Sequence, residues 1–268
     1  MQMIWAAALA SAFLPARGHA SLARRPPPPK GPRAVKILLL NGNTTESVTE
    51  RMRAALAARC PQDVQLVGAT APFGAPYVAS RAAAAVAGHA ALEAVRVAVA
   101  GEAAAGRVPF DACYYACFGE PGIEVIRAET GLPVAGMAEG AVLTALQMGE
   151  RFAILTMGDA WPGMLRELLR KLALAERCAG IGVVAGDGLA LSSDHVAGLP
   201  VVEAAARDLL ARTGAEVIIV AGAALAGYGA PLARVLPVAV LDSLFAGFEQ
   251  TLALARLAAD RNVAVSSR

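Results

Sequence analysis

The chain states its own pattern twice. Arg151-Phe152-Ala153-Ile154-Leu155-Thr156 runs apolar into the turn Met157-Gly158-Asp159-Ala160-Trp161, as Val35 to Leu40 runs into Asn41-Gly42-Asn43-Thr44-Thr45-Glu46-Ser47. Glu216 to Val220 leads into Ala221-Gly222-Ala223-Ala224-Leu225-Ala226-Gly227, as Ala112 to Ala116 leads into Cys117-Phe118-Gly119-Glu120-Pro121-Gly122. Leu132-Pro133-Val134-Ala135 recurs as Leu236-Pro237-Val238-Ala239, each followed by an acid, Glu139 or Asp242, and an apolar helix. Two matched sets in one order argue for duplication and a pseudo-twofold axis.

Within each set, short continuous apolar runs alternate with longer helical stretches. Runs of that kind are strands buried on both faces, and the alternation predicts mainly parallel sheets with helices outside. The expected fold is α/β with two pseudo-symmetric lobes, each a mainly parallel sheet flanked by helices, and a cleft between them. The lobes should span residues 33–135 and 136–240, with a C-terminal helix and tail over 241–268 packing back on the first lobe. Residues 1–32 differ in composition. Ile4 to Leu14 is too short to span a bilayer, Gly18-His19-Ala20 resembles a signal-peptidase site, and Pro26 to Pro29 is a stiff linker. This segment is an extension or a signal, so the protein is expected to be cytoplasmic, or exported if the signal is real.

Composition excludes several classes. The net charge of +2 and the scattered arginines give no nucleic-acid footprint, and nothing points to a membrane partner. The three lysines, Lys30, Lys36 and Lys171, are poorly placed for an internal aldimine, and no phosphate-binding glycine motif is present. The four cysteines, Cys60, Cys113, Cys117 and Cys178, match no zinc spacing. No cofactor and no metal are expected. A homo-oligomer is left open.

Open α/β sheets place ligands beyond the carboxyl ends of their strands. Two such ends facing each other put Asn43 and Cys117 on one wall and Thr156 and Gly222 on the other. Cys117 follows a buried strand and precedes a helix, where the helix dipole and free N–H groups lower a thiol's pKa. A thiolate there is a base for a carbon-bound proton; the bland alternative is an inert buried cysteine. Asn43, Thr44 and Thr45 can hold a carboxylate or amide, and either threonine can cap the helix over about 46–59. Glu139 can reach the cleft floor or cap the helix that follows. His89 reads as a rim residue, and His195 beside Asp194 reads as part of a helix cap.

These motifs resemble those of the Asp/Glu/hydantoin racemase superfamily. Leu40 to Thr45 is similar to its "NPNTS" opening, with Gly42 where proline is usual. Ala116 to Gly122 resembles "ACFGDPG" with Glu120 for aspartate, Pro133 to Ala141 resembles "PVVGIAEAA", and Ile218 to Gly227 resembles "IVLGCAGMAG". The resemblance runs from about Val35 to about Leu257. It implies two cysteines flanking a stereocentre, one removing a proton and the other returning it, without a cofactor.

By that resemblance Cys117 is the catalytic thiol, and Gly222 stands where the second cysteine is expected. Asp159, Thr156 or Tyr228 are candidates to replace it. Asn43, Thr44, Thr45, Gly119, Thr156, Gly222 and Ala223 are the expected substrate-binding residues. The expected function is a cofactor-independent racemase or epimerase acting at an acidic carbon next to a carboxylate or amide, such as an amino acid or hydantoin. The alternatives are a one-thiol lyase, decarboxylase or isomerase of small diacids, and a non-catalytic small-acid binder.

Overall fold

The computed structural model describes residues 34–266 apart from Val108 and Asp187, so the N-terminal extension expected over 1–32 lies outside the described residues. The first half runs β1 (Val35–Asn41), α1 (Glu46–Ala57), β2 (Val64–Thr70), α2 (Arg81–Ala104), β3 (Ala112–Tyr115), α3 (Ile123–Thr130), β4 (Val134–Gly136) and α4 (Met137–Ala145). The second runs β5 (Phe152–Met157), α5 (Trp161–Lys171), β6 (Cys178–Val184), α6 (Gly188–Ser193), α7 (His195–Thr213), β7 (Val217–Val220), α8 (Gly229–Ala233), β8 (Ala239–Asp242) and α9 (Ser243–Ser266).

Each half forms a four-stranded, fully parallel sheet, in the orders β2-β1-β3-β4 and β6-β5-β7-β8. The same topology twice is the expected pseudo-symmetry. The central strands are buried on both faces because they are apolar at nearly every position; Lys36, Asn41 and Thr156, near their ends, are the buried polar exceptions. Ile37 and Leu39 join a core that also takes Ala112, Tyr114, Phe152, Ile154, Val217 and Ile219, so the two sheets share one interior. Leu38 and Leu40 point the other way, beneath α2 and α3, and Ala153 and Leu155 point beneath α7. Helices α4 and α9 pack against each other and fill the shared interior, with α9 lying on β1, β3 and β4 of the first sheet. The Ala-rich α2 is long and apolar enough to cross a membrane by length and composition, but it covers the first sheet with Ala87, Ala90, Ala91 and Val95 buried.

The sheet registers correct one part of the repeat. Leu38 pairs with Cys113, which pairs with Val134; the equivalent Ala153 pairs with Ile218, which pairs with Val240. Val240, two residues after the Val238 that the repeat aligns with Val134, therefore takes the place of Val134. By the same ladder Asp242 is equivalent to Gly136, not to Glu139. A four-residue identity is too short to fix a register that backbone hydrogen bonds decide.

Candidate active site

Both sheets end their central strands at one cavity. Leu40 O accepts the N–H of Ala116 at 2.8 Å, and the equivalent Leu155 O accepts the N–H of Ala221 at 2.8 Å. These matched bonds deliver Cys117 and Gly222 to the same enclosure. Asn41, Asn43, Ala116, Cys117 and Phe118 line it from the first lobe, and Thr156, Met157, Ala221, Gly222, Ala223 and Ala224 from the second. Tyr77, Val78 and Trp161 complete the wall. The cavity has a volume of about 60 Å³.

Of the residues expected to bind substrate, the cavity gathers Asn43, Thr156, Gly222 and Ala223 and leaves out Thr44, Thr45 and Gly119. Thr45 sits at the N-cap of α1 without a side-chain cap bond, because its hydroxyl donates to Pro76 O at 2.9 Å. The cap expected from Thr44 or Thr45 is thus not made; Asn43 Oδ1 instead accepts the N–H of Thr45 at 2.9 Å. Gly119 has φ +119°, and a β-carbon there would lie 2.6 Å from the Trp161 ring, which covers it.

Glycine at 42, where the resembling motif has proline, follows from Tyr115. A β-carbon on residue 42 would meet the Tyr115 hydroxyl at 2.8 Å and Cε2 at 3.1 Å. That hydroxyl donates to Pro121 O at 3.2 Å, across the Cys117 loop.

The expected low pKa of Cys117 is overturned. Five residues lie between Cys117 and Ile123, where α3 starts, so the thiol is not at the N-terminus of that helix. The thiol opens partly to the cavity but is walled by apolar groups. Burial, with the neighbouring Glu120 charge adding to it, pushes its pKa up to about 12. Cys113, fully buried within β3, is likewise pushed up to about 12.

Glu120 is a buried acid in a left-handed backbone conformation, φ +51°. Its carboxyl lies on the bare backbone of Gly136, where a β-carbon would fall 2.0 Å from Cδ. Glu120 Oε1 accepts the N–H of Glu139 at 2.8 Å, in the first turn of α4. Burial raises its pKa to about 8 against those backbone bonds. Glu139 itself turns away to Arg127, at 2.5 Å, so it does not reach the cleft floor. The second lobe builds the same tie from the other end. Asp242, at the position equivalent to Gly136, accepts the N–H of Leu244 at 3.1 Å, in α9, and that of Gly227 at 2.6 Å, in the loop after β7. In each lobe one carboxyl thus ties the loop after the third strand to the helix after the fourth, contributed from opposite ends of the tie.

The other candidates separate cleanly. Tyr228 is fully buried, and its hydroxyl donates to Leu191 O at 2.7 Å, so it cannot serve the cleft. Asp159 is exposed and does not line the cavity. His195 Nε2 meets Ala226 O at 2.8 Å, and Asp194 caps α7 through the N–H groups of Val196 and Ala197. Tyr77 and Trp161 were not legible as site residues; the position of Tyr77 in the loop after β2, one more strand end, was the available signal.

A sequence model of the Asp/Glu/Hydantoin racemase family matches residues 37–251. The chain belongs to the Asp/Glu/hydantoin racemase family. A hydantoin racemase of Paenarthrobacter aurescens is 29% identical over 210 residues, 78% of this chain and 86% of the relative. The allantoin racemase structure from Pseudomonas fluorescens superposes with a TM-score of 0.75 at 28% identity, covering 83% of this chain and 92% of that one. The allantoin racemase from Klebsiella pneumoniae gives 0.74 at 26% identity, covering 83% and 88%. This racemase-family protein shares with them the two parallel sheets and the enzyme class.

Proposed function

We propose that this protein acts on a small carbon acid of the hydantoin class, which includes allantoin, at a C–H beside an amide carbonyl. Cys117 is the only thiol at the reacting carbon, and Gly222 stands where a two-thiol racemase carries its second cysteine. The observation that carries the reading is that Cys117 and Gly222 occupy equivalent strand ends and line one small cavity. The relatives named hydantoin and allantoin racemase support the substrate class.

The remaining lining residues fit an acceptor-rich ring. Asn43 Oδ1 is committed to Thr45 N and Asn41 Nδ2, so Asn43 has its NH₂ to donate to a carbonyl. Thr156 adds a hydroxyl from the end of β5, and Phe118, Trp161 and Met157 shield the site from water. Shielding favours carbanion chemistry, because the enolate charge then meets fixed donors in a low dielectric.

The test is circular dichroism and deuterium incorporation with enantiopure allantoin and 5-monosubstituted hydantoins in D₂O. Deuterium entry at the stereocentre that is lost in Cys117→Ala is the expected result. No exchange with any of these compounds would overturn the reading. Loss of a carboxylate from a malonate-type probe, without exchange on hydantoins, would move it to a one-thiol decarboxylase.

A further inference from the structure

Among the residues that line the cavity, only two titrate, Cys117 and Tyr77. Tyr77 belongs to the first lobe, in the loop between β2 and α2, yet its hydroxyl reaches the second. The indole of Trp161, the first residue of α5, stands beside it, with its Nε1 4.0 Å from the position a β-carbon on Gly158 would take. A β-carbon on Gly158, in the turn after β5, would lie 4.0 Å from the same hydroxyl. The loop is held just before Tyr77: Thr45 Oγ1 donates to Pro76 O, and the N–H of Thr44 donates to Ala75 O at 3.2 Å. Val78, directly after, is buried. Trp161 is itself fixed, packed over Gly119. A half-exposed phenol is therefore placed on the wall made by the turn after β5, while Cys117 rises from the end of β3 in the other lobe.

We propose that Tyr77 is the second proton-carrying group of this site, delivering its phenolic proton to the carbanion from the side opposite Cys117, with Trp161 as the positioning residue. The proposal rests on the carbon-acid reading above. The small fraction of Cys117 present as thiolate takes the proton from carbon and becomes S–H. The C–H bonding pair stays on carbon, delocalised into the adjacent carbonyl. The Tyr77 O–H bond then breaks, its proton forms the new C–H bond on the other face, and the phenolate keeps the pair, beside the Trp161 indole. After product leaves, the thiol loses its proton to solvent and the phenolate regains one, restoring both groups. Partial burial raises the Tyr77 pKa above that of an ordinary tyrosine, so the proton is present to be given at neutral pH.

The experiment compares the natural protein with Tyr77→Phe, Trp161→Phe and Cys117→Ala, using a 5-monosubstituted hydantoin in D₂O. Inversion is read by circular dichroism and exchange by mass spectrometry. Tyr77→Phe should lose inversion by about 10²-fold or more, the usual worth of one acid–base group. It should keep exchange in the enantiomer whose proton faces Cys117, which also shows that the variant is folded. Trp161→Phe should lower the ratio of inversion to exchange in the same direction but less. Inversion by Tyr77→Phe at the natural rate would overturn the proposal, as would an equal loss of exchange in both enantiomers. If the natural protein exchanges neither enantiomer, the carbon-acid reading itself fails, and the role of Tyr77 falls with it.

Discussion

A β-carbon placed on Gly222 would lie 3.9 Å from the Cβ of Phe118, with nothing nearer. A side chain at this position would thus point across the cavity at the loop that carries Cys117. The space is there, but the backbone is not suited to fill it: Gly222 has φ +89° and ψ 162°, a region that side-chain-bearing residues avoid. Its N–H is also fixed, donating to Ser243 Oγ at 3.1 Å.

Gly222→Cys should therefore show two opposed effects. The strained backbone should cost about 1–3 kcal/mol, seen as a melting temperature lower by roughly 2–10 °C for a chain of this size. Inversion of a hydantoin that the natural protein exchanges should rise, because a thiol now stands opposite Cys117. An unchanged melting temperature would show that the loop relaxes without strain, and unchanged inversion would show that the new thiol misses the carbon.

The raised pKa of Cys117 makes its labelling pH-dependent. With the thiol pushed up to about 12, the thiolate is scarce at neutral pH, and alkylation by iodoacetamide should be slow in the ligand-free protein. Its rate should rise about tenfold per pH unit from 7 to 10, as the thiolate fraction does. Peptide mapping after timed labelling reads this directly. A labelling midpoint near pH 7 would mean that the sulfur is charged in the free protein.

Glu120 should make stability fall as pH rises. Its pKa is about 8 in the folded chain against an ordinary 4.5, so the folded form binds the proton more tightly than the unfolded form does. That contribution is complete below pH 4.5 and is lost as pH climbs to about 8, with a slope of at most about 1.4 kcal/mol per pH unit. Glu120→Gln mimics the protonated acid and keeps an oxygen for the Glu139 N–H. Denaturation of both proteins at pH 5 and pH 8.5 should show a smaller drop for the variant. Equal drops would assign the pH dependence elsewhere.

Gly42 and Tyr115 should be coupled. Gly42→Ala drives a methyl against the Tyr115 hydroxyl and should destabilise by about 1–3 kcal/mol, as overpacking does. Tyr115→Phe removes the nearer clash but not the one at Cε2, so the double variant should recover part of the loss. Strict additivity in urea titrations would show that the two sites do not touch.

The sequence by itself determined the two-sheet duplication. Apolar runs such as Val35 to Leu40 and Phe152 to Leu155 have one stable use, as parallel strands buried on both faces, and their order fixes the topology. It also put Cys117, Asn43, Thr156 and Gly222 together, because parallel strands end on one edge. What it could not hold were quantities set by neighbours distant in the chain. The pKa of Cys117 depends on apolar walls from both lobes, which outweigh a dipole that local order alone suggested. The partners of Glu139 and Tyr228 lie across other elements, which turned both away from the cleft. Tyr77 and Trp161, 84 residues apart in the chain, meet on one wall of the site. Short-range pattern dictates backbone geometry, but desolvation and side-chain hydrogen bonds are properties of the packed whole.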